Sequence, residues 1–70
     1  MNLKKAILKS FSQSDYTATV QLSGSLKVYL EDVTVARNLP AGEMTAGRKV
    51  AVLFFNDFNA REALVIAVYT

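Results

Sequence analysis

Two runs in the last third of the chain are patterned as strands yet apolar on both sides, and that surplus limits what the chain can fold into. Residues 48–55 read R-K-V-A-V-L-F-F and residues 63–69 read A-L-V-I-A-V-Y. Strand side chains alternate between the two sides of a sheet. Val50, Val52 and Phe54 therefore share one side, and Ala51, Leu53 and Phe55 the other. In strict alternation Leu64, Ile66 and Val68 lie opposite Ala63, Val65, Ala67 and Tyr69. A half-exposed antiparallel strand shows apolar-in, polar-out alternation instead. The second apolar face asks for a partner, most simply another copy of the chain.

Seventy residues make one domain, 1–70, near the lower size limit for a self-sufficient core. Cores of this size rarely supply more than roughly 3–5 kcal/mol without staples or oligomerisation. The chain has neither Cys nor His. Disulfides and the usual zinc, haem and iron–sulfur ligands are therefore missing. So are Ser-His and Cys-His nucleophile pairs and the commonest general base near neutral pH. These absences predict no enzyme and no cofactor, and they leave oligomerisation as the available staple.

Eight bases against six acids give a net charge of +2. Lys4, Lys5 and Lys9 cluster near the start, while Lys27, Arg37, Arg48, Lys49 and Arg61 are dispersed. Nucleic-acid domains usually carry a denser basic stripe, so most of these charges read as a solubilising surface. No signal-peptide core follows Met-Asn-Leu-Lys-Lys, and no run approaches the ~18 apolar residues of a membrane helix. The expectation is a cytoplasmic or virion-associated protein without a membrane partner.

Residues 16–22, Y-T-A-T-V-Q-L, put Tyr16, Ala18, Val20 and Leu22 on one face. Polar clusters at 12–15 and 23–25 bracket them as turns. Leu26, Val28 and Leu30 alternate inward, Glu31-Asp32 interrupts, and residues 33–36 resume as a further short strand. Leu39 to Gly47, written L-P-A-G-E-M-T-A-G, suits one short helical turn or a structured loop, with Pro40 fit to open the turn and Gly47 to close it in a left-handed conformation. The N-terminal Leu3, Ile7 and Phe11 share a face in either helix or strand; pairing with residues 16–22 favours strand, because hairpins need partners. The predicted fold is all-β: a small barrel of five to six strands with one short helical turn. The five-stranded oligonucleotide/oligosaccharide-binding (OB) plan and an SH3/Sm-like barrel are the two topologies considered.

The C-terminal half resembles the small barrel domain of phage baseplate and tail-spike proteins. The shared pattern is G-x-x-V-x-V-x-F, a turn with acidic and Asn residues, and a run of the type V-V-I-A-V-Y. Here it reads Gly47-Arg48-Lys49-Val50-Ala51-Val52-Leu53-Phe54, then residues 56–62, N-D-F-N-A-R-E, then Leu64-Val65-Ile66-Ala67-Val68-Tyr69. The family's turn usually carries Asp-Pro where this chain has Asn59-Ala60. The resemblance implies a structural, homo-oligomeric virion component, a trimer suiting a spike, with other virion proteins as further partners.

Placing Val50, Val52, Phe54, Leu64, Ile66 and Val68 in the core leaves Ala51, Leu53, Phe55, Val65, Ala67 and Tyr69 as the expected oligomer interface. The alternative is a nucleic-acid surface of Lys27, Tyr29, Arg48, Lys49 and Phe58, in which rings stack on bases beside basic groups. Asp57, Glu62, Glu31 and Asp32 sit in turn contexts, where carboxylates satisfy local backbone donors. They are read as turn residues rather than acid–base pairs. Arg37 and Arg61 are read as surface arginines, Gly24 as a turn residue, and Met44 carries no signal.

Overall fold

The computed structural model describes residues 2–23, 29–56 and 62–70. Five strands follow in order: β1 (Asn2–Ser12), β2 (Thr17–Leu22), β3 (Tyr29–Val35), β4 (Lys49–Phe54) and β5 (Ala63–Val68). One 3-10 turn, η1 (Ala41–Glu43), lies between β3 and β4. The strands close into a barrel in the order β1-β2-β3-β5-β4, with β4 returning to β1. Every ladder is antiparallel except β3–β5, where Thr34 pairs with Leu64 and Val35 with Val65 in parallel. Closure pairs the strand edges that an open sheet of this size would present to other chains.

The N-terminal segment is the longest strand, because its central part is paired on both sides. Ala6 lies opposite Leu22 on β2 and Val50 on β4. The helix-compatible spacing of Leu3, Ile7 and Phe11 thus gives way to tertiary pairing. The core-facing residues of β1 are Ala6 and Leu8, with Phe11 packed against them, while Leu3 is exposed.

Three β-bulges bend the barrel, each adding one residue to one strand of a pair. On β1 the ladder to β2 steps from Leu8↔Val20 to Ser10↔Thr19, making Lys9 the extra residue. On β3 it steps from Val33↔Ala18 to Leu30↔Val20, so Glu31-Asp32 form the bulge, with Asp32 at φ 56°. The apparent strand break at Glu31-Asp32 is therefore a kink inside one strand, which makes five strands rather than six. On β5 the ladder steps from Val68↔Val50 and Ala67↔Ala51 to Val65↔Val52, and Ile66 is the extra residue.

The last bulge corrects the face assignment of β5. Ala63 and Val65 belong to the core, Val65 with no exposed surface, and Val68 packs against the core from beyond the bulge. Leu64 and Ile66, expected inside, are half-buried residues outside that cluster. Because Ile66 takes an extra place, strict alternation holds on either side of it but in opposite phase. β4 has no insertion, and Val50, Val52 and Phe54 are buried as expected.

Among the described residues, twelve form the buried core: Ala6, Leu8, Ala18, Val20, Val33, Val35, Met44, Val50, Val52, Phe54, Ala63 and Val65. Among the described residues none of the buried ones is polar or charged. Burying a Val, Leu or Phe side chain is worth about 1.5–3 kcal/mol. Met44, which the sequence pattern leaves unassigned, joins this core just after η1. Pro40 precedes that turn with φ −64°, and Gly47 follows it at φ 94°. Tyr16, also at positive φ, fastens the same connection: its hydroxyl donates to the Leu39 carbonyl. Its ring meets Phe11 edge-on at 5.1 Å, and Arg37 lies over it at 5.4 Å.

Candidate functional site: the outer face of β1, β4 and β5

The outward positions follow from the ladders. Leu3 pairs with Leu53, and Leu53 with Leu64. Both ladders put these three side chains in one row across β1, β4 and β5, on the side away from the core. Leu3 is 59% exposed, and Phe55, two residues beyond Leu53, is 52% exposed. One row further along, Ala51 pairs with Ala67 to give a low floor across β4 and β5, and the exposed Lys5 pairs with Ala51 at its β1 edge. A cleft of about 320 Å³ adjoins the leucine row, lined by Thr34, Phe55, Glu62, Ala63 and Leu64.

Of the residues expected at an interface, Ala51, Leu53, Phe55, Ala67 and Tyr69 face outward, and Val65 does not. Tyr69 is displaced from Phe55 toward the other end of the hairpin. Its backbone N–H donates to the Lys49 carbonyl, and its side chain lines a second cleft of about 490 Å³ with Leu39, Pro40, Glu43, Arg48, Val68 and Thr70. Leu3, exposed, and Leu64, half-buried, take the place of Val65 in the outward row. Leu3 carried no interface signal because its place depends on the β1–β4 register, and that pairing joins distant parts of the sequence.

The residues of the nucleic-acid alternative are dispersed differently. Lys27 and Phe58 lie outside the described residues, as do Gly24, Leu26, Val28, Asp57 and Arg61. Arg48 is engaged by Glu43, to whose carboxylate its guanidinium donates. Tyr29 and Lys49 are exposed. The described carboxylates do not converge: Glu31 and Asp32 sit in the β3 bulge, Glu43 in η1, and Glu62 just before β5. Among the described residues no group of three acidic, His or Cys side chains is placed to hold a metal ion.

No family model, curated protein or solved structure compared with this chain matches it.

Proposed function

We propose that this barrel is a structural assembly module that associates with copies of itself through the outer face of β1, β4 and β5. The observation that carries the reading is the outward row of exposed Leu3 and half-buried Leu53 and Leu64, capped by exposed Phe55. Monomers rarely leave contiguous apolar patches beyond a few hundred Å² in water, whereas the centres of homo-oligomer interfaces are apolar. Ala51 and Ala67 suit such an interface because small side chains let a second sheet approach closely. Closed cyclic symmetry is the common solution for identical subunits.

The setting we propose is a phage or prophage-like particle, as a tail or baseplate component. The support is the resemblance of residues 47–54 and 64–69 to the baseplate and tail-spike barrel, which also favours a trimer. Within the small-barrel class, the strand order, the parallel β3–β5 closure and the position of η1 between β3 and β4 support the OB plan over an SH3/Sm-like one. No catalytic role belongs to this reading.

The deciding experiment is mass determination by light scattering across a concentration series. A defined oligomer that Leu53→Asp converts to a folded monomer is the expected result. A wild-type chain that stays monomeric and stable at high micromolar concentration overturns the proposal.

A further inference from the structure

The outward row of leucines ends differently on its two sides. On β1 it ends in a projection: Leu3 is 59% exposed, the highest fraction among the described large apolar side chains. Lys4 and Lys5, both exposed, follow it. Neither β1 nor the strands beside it, β2 and β4, contain an Asp or Glu. On β5 the row ends in a hollow instead. The cleft of about 320 Å³ is lined there by Leu64 and its parallel neighbour Thr34, with Phe55 and Ala63 as further walls. The charged residue of its lining is Glu62, which is exposed. An apolar cavity of about 150 Å³ takes up benzene, so this cleft has room for a leucine side chain. One side of the row is thus an apolar projection among cations, and the other an apolar hollow beside an anion.

We infer, resting on the self-association proposed above, that copies meet head to tail: Leu3 of one copy enters the cleft of Thr34, Phe55 and Leu64 on the next, and brings Lys4 and Lys5 to Glu62. Shape and charge select the same pairing, and opposite charges at the margin of an apolar contact fix its register. In the closed barrel β4 separates β1 from β5, so the projection and the hollow point in different directions. Closure also makes the outer face convex. Two copies packed on Leu53 about a two-fold axis would leave projection and hollow at diverging margins, with neither filled. The head-to-tail contact fills both, and Leu53 borders each of the two contacts that a copy makes. Contacts of this heterologous kind build a ring where the rotation closes and an open filament where it does not. A trimer is the smallest such ring.

The test uses complementary defects in the full chain. Leu3→Asp spoils the projection, and Thr34→Lys fills the hollow with a charge of the sign that the incoming edge carries. Both replace exposed residues, and circular dichroism checks that each variant is folded. By light scattering the wild type should be an oligomer and each variant alone a monomer, its association weakened by about a hundredfold or more. Mixed in equal amounts the two should form a one-to-one dimer. The Thr34→Lys chain keeps an intact Leu3, and the Leu3→Asp chain keeps an intact cleft. A two-fold contact gains nothing from mixing. Because the chain contains no Cys, Leu3→Cys and Thr34→Cys probe the same contact without adding charge. Under mild oxidation their mixture should form a disulfide-linked dimer faster than either variant alone. A wild type that is monomeric overturns self-association and this inference together. Three results overturn the head-to-tail contact alone, with the wild type still oligomeric: a mixture that stays monomeric, a Thr34→Lys chain of wild-type mass, or Leu3→Cys linking to itself faster than to Thr34→Cys.

Discussion

Leu3 and Leu53 face each other across the β1–β4 ladder on the outside of the barrel, although fifty residues separate them in the chain. Both are large aliphatic side chains placed where a soluble sheet usually carries polar ones, and Leu64 extends the pair onto β5. If this row is the centre of a self-association surface, Leu3→Asp should dissociate the assembly as effectively as Leu53→Asp. A carboxylate at either position would have to be desolvated without a partner, at a cost of several kcal/mol. Sedimentation velocity of the two variants beside the wild type checks this. An interface confined to the β4–β5 hairpin would spare the Leu3 variant.

The two described glycines should respond oppositely to the same substitution. Gly47 holds φ 94°, while Gly42 lies outside the left-handed region, and an added methyl meets no atom within 4 Å at either site. Sterics with neighbours are therefore equal, and only backbone conformation differs. Gly47→Ala should destabilise by about 1–2 kcal/mol through the left-handed penalty. Gly42→Ala should be neutral or stabilising by about 0.4–1 kcal/mol, because it restricts the unfolded chain. Urea midpoints for the two variants measure the contrast.

Most of the strands could be read from period-two patterning, since Tyr16, Ala18, Val20 and Leu22 and the β4 triad of Val50, Val52 and Phe54 lie as alternation places them. Pro40 and Gly47 likewise mark a helical turn that is present as η1. What the pattern hides are the bulges. Lys9, Asp32 and Ile66 differ in chemistry, and none marks itself as an extra residue, because a bulge is set by the partner strand and by barrel curvature. Each one inverts the phase of everything beyond it. That is how Val65 reads as outward and Leu64 as inward when the strand is taken alone. Met44 escaped for a related reason: a residue in an irregular connection has no period to belong to.

The Tyr16 hydroxyl should contribute measurably to holding the β3–β4 connection. It donates to the Leu39 carbonyl across 23 positions of sequence, while the ring contacts Phe11 and Arg37. Tyr16→Phe removes the donor and keeps the ring, so it should cost about 1 kcal/mol. Tyr16→Ala removes both and should cost about 3–5 kcal/mol, as for other aromatic truncations in cores. Chemical denaturation gives the totals. Faster amide exchange at the Leu39 and Met44 amides in Tyr16→Phe, with β1 amides unchanged, would locate the effect in the connection.

The phase inversion at Ile66 makes adjacent residues of β5 respond to truncation in different ways. Val65 is fully buried against Val35 and Val52, its ladder partners on either side. Val65→Ala should therefore leave a small cavity and cost about 2 kcal/mol. That loss belongs to the protomer and should not vary with protein concentration. Leu64 lies outside, next to Leu53 and Thr34. In dilute solution Leu64→Ala should cost about 1 kcal/mol or less, near the range of substitutions away from the core. Under the proposed self-association its cost should grow as concentration rises, because the wild type then gains stability from burying the row in a neighbour. Thermal unfolding of both variants over a hundredfold concentration range distinguishes the two behaviours. Equal, concentration-independent losses would place Leu64 in the core and remove it from the interface.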